Sequence, residues 1–327
     1  MKVFVTGASG LIGSQIVRQL VADGHQVYAI RRASSSMALL VGVEDEVTWT
    51  MGDIFDTQTM YEIISDVDCV IHCAGVISEN DRALMYDVNV EGTANIVNLS
   101  TEAGIRKLIH ISSIAALGKT KNGKKINEST KWEDGPKNSK YGESKMLGER
   151  EVWRGMAEGL SAVILNPSIV LGLGDGKSGS SVILPLIAKG PKQYLMGGSG
   201  FVDVEDVARF AVAAMQSDIA GERYIISGYN KSFKELTSDI AVQLNVAPPV
   251  KALSQAALNL MSCLDGVASL IPGRNRKLTK TMVMQAIRTL QYDNEKSRSE
   301  LDFEYTPWED TVERLCAEYN DSQTRLK

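Results

Sequence analysis

Short apolar runs alternate with stretches of helical periodicity along the first two-thirds of the chain. Runs rich in Val and Ile predict β-strands over residues 2–6, 26–30, 47–51, 68–73 and 107–112, with further strands at 161–166 and 223–227. Between the first two runs, Ile12, Ile16 and Leu20 recur at helical spacing and form one apolar stripe. This alternation predicts an α/β fold with a doubly wound parallel sheet that helices cover on both faces.

The pattern changes after Pro167. Residues 172–179 and 197–200 are glycine-rich, and the chain from Lys231 onward is mostly helical in pattern, without further strong strands. We therefore expect one domain over residues 1–170, to which 202–228 return, and a smaller, mostly helical lobe formed by 171–201 and 229–327. In that lobe, Met282 and Met284 follow helical spacing with Ile287 and Leu290 and are predicted to be core residues.

A glycine turn joins the first predicted strand to the first predicted helix. Gly7, Gly10 and Gly13 form a GxxGxxG pattern there. Such a turn lets backbone N–H groups and the positive end of the helix dipole approach a pyrophosphate, although glycines also make ordinary turns. The position between strand and helix favours a dinucleotide site. Its predicted contacts in this turn are Gly7, Ser9, Gly10, Leu11, Ile12 and Gly13.

The end of the second predicted strand bears on the choice of dinucleotide. Arg31 and Arg32 stand there with three serines and no carboxylate. A guanidinium fits a 2′-phosphate, so the sequence favours NADP(H), with NAD as the second choice; a solvated charge pair is the alternative. Further predicted cofactor contacts follow the third and fourth strands, at Asp53 and Ile54 for the adenine and at Ala74 and Gly75.

A second cluster carries candidate chemistry. Tyr141 and Lys145 are four residues apart at the start of a predicted helix and therefore share one face. An ammonium group beside a phenol lowers the phenol's pKa, which would make Tyr141 an effective acid or base. The same lysine can hydrogen-bond the nicotinamide ribose, so Tyr141 and Lys145 are also predicted cofactor contacts. Ser112 and Ser113 end the fifth predicted strand, where a hydroxyl could hold a substrate carbonyl. The alternative is an exposed helix pair.

Composition excludes several classes of protein. The 327 residues are 44% apolar and 23% charged, which excludes a disordered chain. A net charge of −5 gives no basic field for nucleic acid or anionic lipid. The four cysteines and three histidines match no disulfide or metal pattern, so we expect reduced thiols, a cytoplasmic protein and no metal. His72 and His110 are on predicted core strands and are expected to be satisfied structural residues. Polar residues interrupt the apolar stretch 252–271, which favours soluble helices; contact with a membrane surface is the alternative.

The motifs together resemble the extended short-chain dehydrogenase/reductase superfamily (the NAD-dependent epimerase/dehydratase family). The sequence is most similar to its dihydroflavonol-4-reductase and 3β-hydroxysteroid-dehydrogenase-like branch. The resemblance covers nearly the whole chain and rests on residues 6–13, 110–118, 141–145, 166–172, 201–208 and 292–296.

Several roles are implied by this resemblance. Ser113, rather than Ser112, would be the catalytic serine, Tyr141 the acid/base and Lys145 its partner, and Arg32, with Arg31 second, would bind the 2′-phosphate. The remaining implied roles are a nicotinamide wall at Pro167, Ile169 and Val170, a bracing residue at Asn89, and a homodimer through helices at 82–103 and 140–159.

The sequence also departs from parts of the superfamily. Ile114 and Ala115 stand where sugar 4,6-dehydratases carry an Asp-Glu pair, and Arg31-Arg32 replaces the acidic residue usual in NAD-bound epimerases. We therefore expect an NADP(H)-dependent oxidoreductase acting on a ketone or aldehyde, or the alcohol, of a small molecule. The alternatives are a nucleotide-sugar epimerase that retains its nicotinamide cofactor and a non-catalytic NADP(H) sensor. A basic cluster is predicted to be a solvated face, and the alternative is a site for an anionic substrate. It consists of Arg274, Arg276, Lys277 and Lys280.

Overall fold

The computed structural model describes residues 1–78, 81–120, 123–135, 138–176, 179–269 and 279–325. The strands are β1 (Lys2–Thr6), β2 (Gln26–Arg31), β3 (Val47–Met51), β4 (Cys69–His72), β5 (Lys107–Ile111), β6 (Ala162–Pro167), β7 (Ile169–Leu171), β8 (Gln193–Tyr194), β9 (Gly198–Asp203), β10 (Glu222–Ile226), β11 (Tyr229–Ser232) and β12 (Lys251–Ala252). The helices are α1 (Leu11–Ala22), α2 (Thr57–Ile64), α3 (Arg82–Tyr86), α4 (Gly92–Ala103), α5 (Lys140–Ala157), α6 (Ile183–Ala188), α7 (Val204–Gln216), α8 (Phe233–Gln243), α9 (Gln255–Ala268), α10 (Lys280–Ile287), α11 (Glu295–Glu300) and α12 (Trp308–Arg325).

Seven strands form the main sheet in the order β10-β6-β5-β4-β1-β2-β3. Every neighbouring pair in this sheet is parallel. The predicted doubly wound, Rossmann-type sheet is therefore confirmed, and its seventh strand is the predicted run near residue 223. The order reverses between β1 and β4, which is where such sheets bind ligands.

Alternating residues of the central strands enter two separate cores. In β1, Val3 and Val5 join the core under α1 and α7, whereas Phe4 joins the core under α2, α4 and α5. Side chains on a strand point alternately to opposite faces, so a strand buried on both faces has a continuous apolar sequence. This is the physical reason that the short apolar runs identified these strands.

Two small sheets were not predicted. Strands β7, β9 and β11 form a three-stranded sheet, and β8 pairs with β12. Beyond Lys231, where no further strong strands were expected, β11 extends to Ser232 and β12 spans two residues. Both are short and partly polar, so they lack the apolar pattern of a buried strand. The division into a dinucleotide domain and a substrate lobe stays a prediction.

The C-terminal helices correct one predicted core residue. In α10, Val283 and Ala286 are buried against Leu258 of α9, whereas Met282 is 40% exposed. Residues three apart share one face of a helix, so the packing of Val283 and Ala286 turns Met282 outward. Within the basic cluster, Arg274, Arg276 and Lys277 lie outside the described residues. No helix in the described ranges has both the length and the apolar character needed to cross a bilayer.

Candidate active site

The glycine turn packs directly on the end of β4. Gly7 has φ +65°, and a Cβ atom added there would lie 2.6 Å from the backbone nitrogen of Ala74. A Cβ at Gly13 would lie 2.2 Å from the Gly7 carbonyl oxygen. Neither position has room for a side chain, so these glycines allow the first turn of α1 to approach the strand end closely.

The first turn of α1 is open to an anion. Its N-cap residue, Gly10, has no side chain to bond the free N–H groups, and no acidic residue stands in that turn. The uncapped N–H groups and the helix dipole therefore favour negative charge in front of the helix, as a pyrophosphate would supply. Leu11 and Ile12 are half-buried in this turn. The Leu11 side chain packs near Gly172, where an added Cβ would lie 2.8 Å from it.

A cleft of about 220 Å³ runs along the carboxyl ends of β1 to β4. It brings together most of the predicted cofactor residues, namely Gly7, Ser9, Gly10, Arg31, Arg32, Asp53, Ile54, Ala74 and Gly75. The other predicted cofactor residues do not line it, namely Leu11, Ile12, Gly13, Tyr141, Lys145, Pro167, Ile169 and Val170. A dinucleotide fits this arrangement, because the cleft joins an uncapped helix N-terminus to a charged strand end.

Two guanidinium groups stand at the far end of this cleft. Arg32 is exposed, and the Arg31 guanidinium carbon lies 6.0 Å from the centre of the Trp49 ring. The Arg31 Nε atom is buried without a hydrogen-bond partner, and in the described ranges neither guanidinium forms an ion pair. An unpartnered cationic donor suits an anionic oxygen.

The remaining predicted cofactor residues lie at the junction of β6 and β7. Pro167 and Val170 are buried there, and Ile169 is half-buried. This junction adjoins the end of β5, since the Asn166 side-chain nitrogen donates to the Ser113 carbonyl oxygen at 2.9 Å. The predicted nicotinamide wall is therefore next to the predicted catalytic serine.

Ser113, Tyr141 and Lys145 meet where α5 passes the end of β5. The Ser139 hydroxyl caps α5 by accepting from the Gly142 backbone nitrogen at 3.0 Å, which starts the helix just before Tyr141. The Tyr141 hydroxyl faces the Ser113 side chain, which lowers the pKa of the phenol. One turn further, Lys145 Nζ donates to the Ile111 carbonyl oxygen at 2.9 Å.

The electrostatics of this cluster differ from the sequence expectation. Burial raises the pKa of Tyr141, and the Ser113 side chain only partly opposes this effect, whereas the sequence predicted that Lys145 would lower it. Burial also lowers the pKa of Lys145 to about 8, against the opposing effects of Glu149 and Cys73. The ammonium is engaged with the Ile111 carbonyl, so desolvation dominates at the phenol.

Comparison with known proteins now identifies the family. The model of the NAD dependent epimerase/dehydratase family matches residues 3–227. The chain belongs to this family. It is thereby an enzyme of the extended short-chain dehydrogenase/reductase superfamily, whose members are NAD(P)-dependent.

Relatives in this family include reductases. The chain is 31% identical over 234 residues to sterol demethylase protein B of Methylococcus capsulatus, covering 70% of each chain. It is 28% identical over 306 residues to a putative dihydroflavonol 4-reductase of Synechocystis sp., covering 91% of this chain and 88% of the relative. Among solved structures, it is similar to gox2253 with a TM-score of 0.84 and 28% identity, over 98% of both chains.

Two core histidines lie beside the cluster in this family member. The His72 ring nitrogens lie 2.7 Å from the Thr6 hydroxyl and 3.1 Å from the Thr93 hydroxyl, so His72 is a satisfied structural residue, as predicted. The same prediction is wrong for His110, whose two ring nitrogens are buried without a partner among the described residues. The His110 ring stacks on His72 with centroids 5.3 Å apart. Burial lowers the pKa of both histidines, that of His72 to about 3, so both are neutral.

Asn89 links three segments near the site. Its side chain accepts from the Val76 backbone nitrogen at 2.8 Å and donates to the Val76 carbonyl oxygen at 2.9 Å and to the Ser144 hydroxyl at 3.0 Å. These bonds connect the segment just before α4 to the loop after β4 and to α5. Asn89 is fully buried, which suits a bracing residue.

A buried acidic residue in α5 was not predicted from the sequence. Glu149 is 2% exposed and forms bonds to Ser112, Asn166 and Arg223, none of which is near it in sequence. The one available signal was its position four residues after Lys145, on the same helix face. Among the residues the structure describes, no group of three His, Cys, Asp or Glu side chains could hold a metal ion.

Proposed function

We propose that the protein is an NADP(H)-dependent oxidoreductase that reduces a ketone or aldehyde of a small molecule, or oxidises the corresponding alcohol. The observation that carries this proposal is the meeting of Ser113, Tyr141 and Lys145 at the end of β5, beside a cleft that fits a dinucleotide. Two adjacent hydroxyls, one of them a phenol, are suited to hold and protonate a carbonyl oxygen.

A bound nicotinamide cofactor supplies or accepts the hydride, and the chain handles the proton and the substrate oxygen. Ser113 donates a hydrogen bond to that oxygen and fixes its position. Tyr141 gives up its phenolic proton to the oxygen during reduction; its raised pKa keeps it protonated at neutral pH, as an acid requires. The Lys145 ammonium, one helix turn away, stabilises the negative charge left on the phenol and is proposed to bond the cofactor ribose.

The preference for NADP(H) rests on the charges of the cleft. Arg31 and Arg32 supply two cationic groups at its end, and Arg31 Nε has no hydrogen-bond partner among the described residues. A 2′-phosphate would satisfy these donors, whereas the 2′-hydroxyl of NAD would leave a cationic donor without an anion. Asp53, on the same cleft wall, is proposed to contact the adenine.

Reduction is favoured over sugar epimerisation and dehydration. Ile114 and Ala115 follow Ser113 and offer no acid or base for dehydration. A relative that aligns with nine-tenths of the chain is described as a putative reductase. The presence of Ser113, Tyr141 and Lys145 together also argues against a purely sensory role, which would not need them.

Retention of cofactor and net turnover separate these functions. The purified protein should pass gel filtration without bound nicotinamide, bind NADPH at least tenfold more tightly than NADH, and consume NADPH with members of a carbonyl panel. A tightly retained cofactor, with interconversion of nucleotide sugars and no net NADPH loss, would establish the epimerase instead. Reversible binding with no turnover on either panel would favour the sensor, and tighter binding of NADH would overturn the choice of cofactor.

We also propose that the enzyme is a cytoplasmic homodimer that associates through the helices at 82–103 and 140–159. The four cysteines are all unpaired, in agreement with a reducing compartment. Light scattering on the purified protein tests the association: a mass near 71 kDa, twice the 35.6 kDa of one chain, supports it, and a monomer mass contradicts it.

A further inference from the structure

The buried network around Glu149 extends from the catalytic cluster to the edge of the main sheet. Glu149 is on α5, four residues beyond Lys145 and eight beyond Tyr141. Its carboxylate is almost completely enclosed, and it accepts from three side chains that come from the ends of β5 and β6 and from β10. We propose that Glu149 is a positioning residue of this oxidoreductase, which fixes the Ser113 turn and supplies the negative charge that keeps Lys145 protonated.

The positioning contacts run through one oxygen. Glu149 Oε1 accepts from the Ser112 hydroxyl at 2.6 Å and from the Asn166 side-chain nitrogen at 2.5 Å. The same Asn166 nitrogen donates to the Ser113 carbonyl oxygen at 2.9 Å. The carboxylate therefore fixes the residue before Ser113 directly and Ser113 itself through one intermediate side chain. Since Glu149 and Tyr141 belong to one helix, these bonds set the distance between the two reacting hydroxyls.

The second carboxylate oxygen of Glu149 is bound by Arg223, which other hydrogen bonds fix in place. Glu149 Oε2 accepts from Arg223 Nη1 at 3.2 Å. Arg223 also donates from Nε and Nη2 to the Glu128 carbonyl oxygen, at 3.0 and 2.6 Å. A buried carboxylate is stable only when it is paired and hydrogen-bonded, and these contacts meet both conditions.

Glu149 is the main charged group that raises the pKa of Lys145. The titratable groups that interact with Lys145 are Glu149 on its own helix, His72 in β4, Cys73 directly after it, and His110 on β5. Both histidines are neutral, and burial raises the pKa of the Cys73 thiol to about 12, so that thiol is neutral as well. Within the described ranges, Glu149 is thus the carboxylate that offsets the desolvation of Lys145.

The test compares Glu149→Gln with Glu151→Gln. Both variants remove one carboxylate from α5, but Glu151 pairs with Arg154 at the surface and has no contact with this network. Protein labelled with ¹³C at lysine Cε gives the pKa of Lys145 directly, with the Lys145 signal assigned by its loss in Lys145→Arg. Because Glu149→Gln leaves Arg223 without its partner, the double variant Glu149→Gln/Arg223→Met is measured in parallel; it removes the buried pair as a whole.

The expected result is a fall of about one pH unit or more in the Lys145 pKa of Glu149→Gln, since a neighbouring opposite charge shifts a pKa by about that amount. The alkaline limb of kcat/KM should move by the same amount, and turnover at pH 7 should fall by about ten- to a hundredfold, the scale of a small misplacement of reacting groups. Glu151→Gln should match the wild type in all three measurements. If Glu149→Gln does not fold, the double variant must show the Lys145 shift.

An unchanged Lys145 pKa in a folded Glu149→Gln or double variant, with only a lower melting temperature, would overturn the proposal and leave Glu149 a structural residue. The proposal rests on the proposed function for its catalytic part. A wild type without carbonyl turnover would refute that function, whereas the titration of Lys145 would still decide whether Glu149 controls its charge.

Discussion

The cofactor cleft and the catalytic cluster are adjacent, but backbone contacts shape the cleft and side-chain contacts shape the cluster. At the cleft, backbone packs on backbone: an added Cβ at Gly7 or Gly13 would lie within 3 Å of main-chain atoms. At the cluster, side chains make the contacts, through the ammonium of Lys145 and the carboxylate of Glu149. The cleft should therefore fail when volume is added, and the cluster when a hydroxyl or a charge is removed.

The cleft and the cluster also differ in their exposure to solvent. Of the two arginines of the cleft, Arg31 is half-buried and Arg32 is exposed, so solvent and salt screen their charges. The side chains of Lys145 and Glu149 are buried, where electrostatic effects are larger. Binding and chemistry in this enzyme can thus be disturbed separately, and the following variants use that separation.

The largest effect is expected for Tyr141→Phe. The substitution removes the phenolic hydroxyl that faces Ser113 but keeps the ring, so turnover should fall by about 10²–10⁴-fold, the range for loss of a general acid. The dissociation constant for NADPH should change by less than about threefold, because that site lies in the cleft. Tyr61→Phe on α2 is the matched control and should behave as wild type. Near-normal turnover in Tyr141→Phe would exclude it as the acid.

A smaller effect, confined to the cofactor, is expected for the arginines. Arg32→Ala, and more strongly the double change with Arg31→Ala, should weaken NADPH binding by about 1.5–3 kcal/mol, the range for a charge-assisted hydrogen bond. The ratio of NADPH to NADH affinity should fall about ten- to a hundredfold. Titrations at one fixed salt concentration measure both constants, with the exposed Arg106→Ala as control. Equal losses for the two cofactors would show that the arginines do not read the 2′ position.

The glycine turn can be tested against a second glycine of similar conformation. Gly7 and Gly24 both have positive φ, +65° and +75°, but an added Cβ at Gly24 meets nothing within 4 Å. Both substitutions to alanine therefore carry a similar conformational cost. The difference between their losses of stability measures the backbone contact of Gly7 with Ala74. Gly7→Ala should lower the free energy of unfolding by about 1–3 kcal/mol more than Gly24→Ala and should weaken both dinucleotides alike. Urea unfolding of the two variants measures this, and equal losses would contradict the steric argument.

The same division explains which features could be predicted from the sequence. Local patterns identified the main strands, because strands buried on both faces are apolar throughout, and the glycine turn, because its contacts are steric and its residues adjacent. The polar network could not be predicted, since Ser112, Glu149 and Arg223 are far apart in sequence and meet only in the fold. The strand β11, with the sequence YNKS, and the unpartnered nitrogens of His110 likewise depend on tertiary neighbours.

The smallest effect expected is a change with pH in the wild type. Burial lowers the pKa of Lys145 to about 8, whereas burial raises that of Tyr141, so the ammonium loses its proton first as the pH increases. If the charged lysine is the active form, kcat/KM for NADPH, which reports the free enzyme, should fall about twofold between pH 7 and pH 8 and about tenfold per pH unit above that. In Lys145→Arg the side chain stays charged throughout this range, so any residual activity should lack this decline. A wild-type profile that stays level to pH 9 would show that Lys145 does not need its proton, and the cluster would then act through the two hydroxyls alone.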